Sequence, residues 1–434
     1  MLDLHLIVQD LEKIGRNCQN RGVAVDLDRL AELAADRSRL IQEVEALRHR
    51  QKEVAASLKS QLLAAERAAR IEDGRALKGQ VSGLEGRLRE VEADLHALQL
   101  QVPNLTHPAA PVGRGEEENR VVRQWGSPRR FEFAARDHVA LGEHLRLIEF
   151  ERAAKVAGQK FYYLTGAGAL LELALIQYAM ATLVEEGFLP VVTPDLARDE
   201  ILAGIGFNPR GPETQIYSVE GCDLSLVATA EITLGGMYQD EILDGRELPI
   251  LLAGFSHCFR TEAGAHGRVA KGLYRVHQFS KVEMFAVTRP EDSDAMHARL
   301  LALEEKLFQG LQIPYRVVDV CTGDLGGPAY RKFDLEAWMP GRGEGGSWGE
   351  VTSTSNCTDY QARRLRVRYR PEPGARPEFV HMLNGTAVAV SRAIIAILEN
   401  LQEADGSVRV PEVLQRWMGT DWIRPPATPA GPAE

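Results

Sequence analysis

Residues 77–98, LKGQVSGLEGRLREVEADLHAL, set Leu77, Val81, Leu84, Leu88, Val91, Leu95 and Leu98 at alternating steps of four and three without a miss. That spacing draws one apolar stripe along an α-helix and marks the seam of a coiled coil. Upstream, from Asp26, Leu33, Leu40, Val44, Leu47, Val54 and Leu58 recur in the same way, interrupted by Arg37 and Gln51. Glu72-Asp73-Gly74 reads as the break between the two runs. The pair is therefore predicted to form an antiparallel coiled-coil hairpin over residues 27–100, with arms of ~40 residues reaching roughly 60 Å at about 1.5 Å per residue. Gly79, Gly83 and Gly86 lower the helix propensity of the return arm. Residues 27–100 hold 13 Lys plus Arg against 13 Asp plus Glu, so the arm is neutral and the rest of the chain carries the net charge of -10. It is the segment least repelled by RNA. Such hairpins are more often structural or dimerisation devices, so the arm alone names no function.

Beyond the arm, residues 102–111 read VPNLTHPAAP, and three prolines in so short a span remove donors and fix dihedrals. Residues 103–114 are read as a linker closing an N-terminal domain of residues 1–102. From 115 to 422, helical runs such as 169–186 mix with short apolar runs such as 248–255 and 315–320. No β-α-β alternation with a Gly-rich phosphate turn is present, which excludes a doubly wound nucleotide fold. The expectation is an α+β domain built on an antiparallel sheet flanked by helices. The Pro/Ala-rich residues 423–434 read as a disordered tail.

The 434 residues are 44% hydrophobic and 26% charged, an ordinary globular balance. There is no uninterrupted apolar run of about 18 residues, and MLDLHLIVQDLEKIG at the start is acidic and amphipathic, so a cytoplasmic protein without membrane association is expected. Cys18, Cys222, Cys258, Cys321 and Cys357 are scattered singly, which argues against disulfides and a cysteine zinc site. The negative charge excludes coating of nucleic acid through bulk charge, so an RNA partner would be met by local surfaces.

Four clusters in the second domain carry chemistry: Thr229-Ala230-Glu231; Arg260-Thr261-Glu262 with Phe279 and Lys281-Val282-Glu283; Glu350-Val351-Thr352-Ser353; and Asn384-Gly385-Thr386 with Arg392. Singly, each has an ordinary explanation. Arg-x-Glu on a strand puts both side chains on one face and is commonly a surface ion pair, and Glu350 in a Gly-rich stretch reads by default as a solvated loop acid. Together they resemble one family, the class II aminoacyl-tRNA synthetases, and within it the seryl-tRNA synthetases. The run Cys258-Phe259-Arg260-Thr261-Glu262-Ala263-Gly264, continuing through Gly272-Leu273-Tyr274-Arg275-Val276-His277-Gln278-Phe279 to Glu283, is similar to that family's second motif. Gly187-Phe188, Pro190 and Thr193-Pro194 resemble the first, which builds a dimer interface, and Leu383-Asn384-Gly385-Thr386 to Arg392 resembles the third. Thr229-Ala230-Glu231, Thr322-Gly323-Asp324-Leu325-Gly326, Ser355-Asn356-Cys357, Gln361-Ala362-Arg363-Arg364 and the hairpin resemble the seryl branch.

The resemblance implies ATP-dependent formation of seryl-adenylate, followed by transfer of the seryl group to tRNA(Ser), and to tRNA(Sec) as well. Arg260, Glu350 and Arg392 would be catalytic. Arg260 would fork onto the α-phosphate and the serine carboxylate, and Arg392 would lie over the adenine or reach the terminal phosphate. Phe279 would stack on adenine, Glu262 would accept from its amino group, and Thr261, Val276, Val351 and Thr352 would complete the ATP site. Glu350 and Ser353 would hold Mg²⁺, a hard cation content with few carboxylates. Thr229, Ala230, Glu231, Glu283, Asn384 and Thr386 would bind serine. A pocket built to bond a hydroxyl rejects alanine by on the order of 10⁴, while threonine is disfavoured by only about 1–3 kcal/mol.

The arm would cross a homodimer to a tRNA on the other subunit, with Arg48, Arg50, Lys52, Lys59, Arg67, Arg70, Arg75 and Lys78 as candidate contacts. Recognition would be by shape and backbone. Two departures from the family pattern occur. Arg268-Val269-Ala270 replaces an acidic residue in the motif-two loop, and Thr386 stands where serine is usual. Nothing resembles the zinc-dependent branch, so no zinc is expected. Two other readings are a serine-activating paralogue that loads a carrier protein, which often lacks the arm, and an inactive coiled-coil scaffold, which would have lost Arg260, Glu283, Glu350 or Arg392.

Overall fold

A computed structural model describes residues 1–61, 63–207, 215–262 and 272–426. The chain divides into two compact units, Met1–Leu105 and Thr106–Glu434. The motif-two loop residues Ala263, Gly264, Arg268, Val269 and Ala270, and residues 427–434 of the expected tail, lie outside the described residues, while Ile423, the first residue of that tail, is instead buried in a short strand paired with Val408.

In the first unit, helices α1 (Leu4–Gln9) and α2 (Leu11–Asn20) precede the long helices α3 (Leu27–Ser57) and α4 (Ala64–Gln101). Asp3, Asp10 and Asp26 cap the first three, each accepting a backbone N–H from the first turn. The long helices run antiparallel. Arg37 pairs with Glu92 at 3.0 Å and Arg48 with Glu85 at 2.7 Å, so numbers rise on one arm as they fall on the other. Arg37, which interrupts the seam in the sequence, is thus satisfied across it. Leu30, Leu33, Leu40 and Val44 are buried with Leu77, Val81, Val91 and Leu95.

The break between the arms is not where the sequence suggested. Glu72-Asp73-Gly74 lies inside α4, and the turn falls after Leu58, the C-cap of α3, with Leu63 at the N-cap of α4. The Glu66 carboxylate accepts from the Leu63 N–H at 3.1 Å and closes that start. One interior glycine costs about 1 kcal/mol, which the alanine-rich turns around it and the packed seam outweigh. A Cβ on Gly74 would lie 3.8 Å from Val54 of the facing arm.

The second unit is built on eight strands: β1 (Arg120–Trp125), β2 (Leu189–Val192), β3 (Ile250–Phe259), β4 (Gln278–Thr288), β5 (Tyr315–Asp319), β6 (Arg331–Met339), β7 (Ser347–Asn356) and β8 (His381–Ala389). Their order is β1-β5-β6-β7-β8-β4-β3-β2. Neighbours are antiparallel as expected, except that β2 runs parallel to β3 at the edge. The unit is therefore α+β with a mixed sheet. Strand β4, QFSKVEMFAVT, is buried at nearly every position, the mark of a strand covered on both faces.

Helices α5 (Ala167–Glu185), α6 (Ala230–Gly236), α7 (Ser293–Gly310) and α8 (Val390–Asn400) accompany the sheet. Leu171, Leu175 and Leu183 of α5, Leu300 and Phe308 of α7, and Ile394 and Ile397 of α8 share one core with Val282, Met284, Leu335 and Ala337. Each such side chain contributes about 1.5–3 kcal/mol on burial. Helix α5 is long and apolar enough by composition to cross a membrane. Its apolar residues divide instead between this core and an exposed set, Leu170, Leu173 and Val184.

Candidate active site

Register brings the sequence clusters together. Thr386 on β8 faces Glu283 on β4, and Ser353 on β7 faces Asp334 on β6. Arg260 follows directly on β3, and Arg392 sits in the first turn of α8. A cavity of about 240 Å³ results, lined by Thr229, Glu231, Arg260, Glu262, Val276, Phe279, Glu283, Glu350, Val351, Thr352, Ser353, Asn384, Thr386 and Arg392. Fourteen of the sequence-predicted residues meet there. Ala230 does not line the cavity: it opens α6 with its side chain buried against the core of Leu202, Leu234 and Phe285. Thr261 does not line it either, and its N–H bonds the carbonyl of Gln215 at 3.0 Å.

One end of the cavity is acidic. Thr229 caps α6, and its hydroxyl oxygen accepts from the Glu231 N–H at 3.2 Å and from Lys281 Nζ at 2.8 Å. Glu231 Oε1 accepts from Gln361 Nε2 at 2.7 Å and Asn384 Nδ2 at 2.8 Å. Burial, reinforced by the Glu283 charge, pushes the Glu231 carboxyl up to about 7, against the pull of Gln361, Lys281 and Arg260. Glu283 forms a nearly dry ion pair with Lys281 and accepts from Thr386 Oγ1 at 3.3 Å. The glycine between Asn384 and Thr386 is tightly surrounded, because a Cβ there would stand 3.1 Å from Glu304 Oε1 and 3.0 Å from Thr354 Oγ1. Glu304 is buried, accepts from Thr352 Oγ1 at 2.8 Å, and is pushed well above the carboxylate range by that burial.

The other end is built from arginines and aromatic rings. Arg260 Cζ lies 5.4 Å from the centroid of Phe279, and its buried Nε has no hydrogen-bond partner among the described residues. Glu262, at a φ of 51°, accepts from Arg275 at 3.2 Å, so the carboxylate expected to read adenine is itself held in place. Arg392 pairs with Glu350 at 3.0 Å and lies over Tyr274, 4.8 Å from the ring centroid. Burial would raise the Glu350 carboxyl, but Arg392, Lys332 and Arg260 outweigh it and hold it below its usual range. Asp334, beside Ser353, is pushed up to about 7 by burial and by Glu350, despite Lys332. A second cavity of about 850 Å³ shares Tyr274, Glu350 and Arg392 as its wall.

Some lining residues had no role in the sequence reading. Lys281 was legible, since period two puts it on the face of Glu283, and Tyr274 stood inside a quoted motif, as did Gln361, which does not line the cavity but donates to Glu231. Ala389 and Ser391, inside the span of the third motif, also line the cavity, as does Phe207, which carried no signal. Among the described residues, no three His, Cys, Asp or Glu side chains cluster as a metal cage.

Comparison with known proteins gives two family matches. Residues 1–106 match the seryl-tRNA synthetase N-terminal domain, and 217–401 match the tRNA synthetase class II core domain (G, H, P, S and T). The serine--tRNA ligase of Rubrobacter xylanophilus is 56% identical over 425 residues, covering 98% of this chain and 99% of the relative. That of Treponema denticola is 51% identical over 423 residues, covering 98% and 100%. The crystal structure of seryl-tRNA synthetase from Pyrococcus horikoshii complexed with ATP superposes with a TM-score of 0.90 at 40% identity, covering 98% of this chain and 100% of that one. Cytoplasmic serine-tRNA ligase from Naegleria fowleri in complex with AMP gives 0.87 at 34% identity, covering 98% and 99%.

Proposed function

Because the chain belongs to the seryl-tRNA synthetases, ATP-dependent aminoacyl-tRNA ligases with a class II core, we propose that its cavity forms seryl-adenylate and then transfers the seryl group to tRNA(Ser) and tRNA(Sec). The observation that carries this is the pairing in one cavity of an acidic, hydroxyl-bearing end with an end of arginines and aromatic rings.

The serine ammonium sits between Glu231 and Glu283, and its hydroxyl bonds in the same pocket with Thr229, Asn384 and Thr386. Ala230 contributes through its backbone alone. The serine carboxylate attacks the α-phosphorus of ATP, and the bond to pyrophosphate breaks. Arg260, whose Nε is buried without a partner among the described residues, offers its fork to the carboxylate and the α-phosphate. The rings of Phe279 and Tyr274 lie under Arg260 and Arg392, so both guanidinium groups are oriented before the reaction begins. Val276 and Val351 close the apolar wall around adenine, and Thr261 acts only by holding the strand end. The ATP complex of the Pyrococcus horikoshii relative supports ATP as the nucleotide.

The Glu350 carboxyl is held below its usual range by the cations around it. With Ser353 beside it, this donor set fits Mg²⁺, which takes one or two carboxylates and fills its shell with waters and phosphate oxygens. Bound there, the ion would neutralise charge growing on the phosphates. Zinc has no part in the proposal.

A homodimer is supported by exposed Leu170, Leu173 and Val184 on α5 beside Leu189 and Val192 on edge strand β2, an apolar surface of the kind that marks an interface. We place the enzyme in the cytoplasm, where tRNA is charged. The test is serine-dependent exchange between ATP and pyrophosphate, run beside attachment of labelled serine, threonine and alanine to bulk tRNA. Serine exchange with tRNA charging is the expected result. Exchange without charging would point to a carrier-protein acceptor, and neither activity would sink the enzymatic reading.

A further inference from the structure

Seven residues beyond Arg392, at the other end of α8, Glu399 is buried and its carboxylate is held by two segments far from it in the chain. Its Oε1 accepts from the His138 N–H at 3.0 Å and from His138 Nδ1 at 2.7 Å, and its Oε2 accepts from the Gly341 N–H at 2.8 Å. His138 passes the connection on, because its Nε2 accepts from the Leu273 N–H at 3.2 Å. That acceptor role fixes the tautomer: Nδ1 carries the proton toward Glu399 and Nε2 is bare.

The glycines at these contacts have steric reasons. A Cβ on Gly272 would stand 2.1 Å from His138 Nε2, and one on Gly341 would stand 2.5 Å from Asp137 Cα and 3.0 Å from Glu399 Cδ. Each held backbone group immediately precedes a side chain of the larger cavity's wall. After Leu273 comes Tyr274, and after Gly341 comes Arg342. Arg342 lies 4.5 Å from the centroid of the Tyr274 ring and donates to its hydroxyl at 3.2 Å, while Arg392 lies 4.8 Å from the same centroid.

We propose that Glu399 and His138 are positioning residues that fix Tyr274 and Arg342 against Arg392 and so set the enzyme's grip on the ATP phosphates. Both also line the larger cavity, and their role there is exerted through Tyr274 and Arg342 rather than on the reacting atoms. The inference rests on the reading of the arginine end of the smaller cavity, whose Tyr274 and Arg392 also wall the larger one, as the ATP site, and it separates that end from the acidic one: none of the hydrogen bonds named here reaches Glu231 or Glu283.

The test uses the full chain with Glu399→Gln, His138→Asn and His138→Gln. Glutamine at 138 can still present an acceptor where Nε2 stood, whereas asparagine reaches only as far as Nδ1. In serine-dependent exchange, Glu399→Gln and His138→Asn should raise the ATP KM about tenfold with the serine KM unchanged, and His138→Gln should recover most of the loss. Amide hydrogen exchange should quicken at residues 272–276 and 341–346 in the first two variants and stay near the parent in the third. Equal rises in both KM values, or unchanged ATP KM with unchanged protection, would overturn the proposal. If the parent itself shows no serine-dependent exchange, the function reading fails instead, and the amide protection alone decides whether the clamp exists.

Discussion

Glu231, buried beside Glu283, titrates near 7, whereas Glu350, beside Arg392 and Lys332, is held below the carboxylate range. A substrate ammonium needs the anion, and the anionic fraction of Glu231 falls as pH drops through about 7, so the serine KM should rise below that pH by up to tenfold per pH unit, on the order of 1.4 kcal/mol. Glu231→Gln should give a high serine KM that no longer varies with pH. A parent KM that is flat across this window would refute the assignment. Glu350→Gln should lower the exchange rate by on the order of 10²–10³ while serine binding, followed by calorimetry, is retained. An exchange rate equal to the parent's would exclude Glu350 from activation. Thr386→Ser removes the methyl that narrows the pocket, and threonine-dependent exchange should rise about tenfold relative to serine.

At the scale of elements, the hairpin was legible because a 3.5-residue repeat survives glycines and an arginine in the seam. Its turn was not, because the punctuating residues 72–74 are a local signal that the pairing of α3 with α4 overrides. Leu95→Ala should lower unfolding free energy by about 2–5 kcal/mol, read by denaturant titration, because Leu95 is buried in that seam. Among the candidate RNA contacts, Arg48 already pairs with Glu85, and Arg70 and Arg75 stand near Asp73 and Glu72. Arg50, Lys52, Lys59, Arg67 and Lys78 have no ion pair among the described residues. Reversing these five charges should weaken tRNA charging, most at low salt and less as salt screens the contacts, and leave serine-dependent exchange at the parent rate. Loss of exchange along with charging would mean the chain was misfolded rather than weakened in RNA contact.

For the whole molecule, the exposed apolar side chains on α5 and β2 predict association. Leu173, at 59% exposed, and Val192, at 80%, are the most open of them apart from Leu189, at 61%. The double variant Leu173→Glu with Val192→Glu should halve the mass measured by light scattering, since two charges cannot be buried in an apolar interface without a large desolvation cost. A parent that scatters as a monomer would remove the dimer from the proposal.

Periodicity and the run of elements, taken from the sequence alone, determined the hairpin and the α+β class, while the resemblance of its motifs to a known family implied the residue types that handle an ammonium, a carboxylate and phosphates. These are local properties: a heptad or an Arg-x-Glu pair is written in consecutive positions. The tertiary structure alone decided which of those residues face one another. Strand register set Thr386 against Glu283, burial moved Glu231 to about 7, the parallel edge pairing of β2 appeared, and the side chain of Ala230 went into the core. The buried Glu399–His138 pair belongs with these, because its partners stand 261 positions apart and only packing brings them within 2.7 Å.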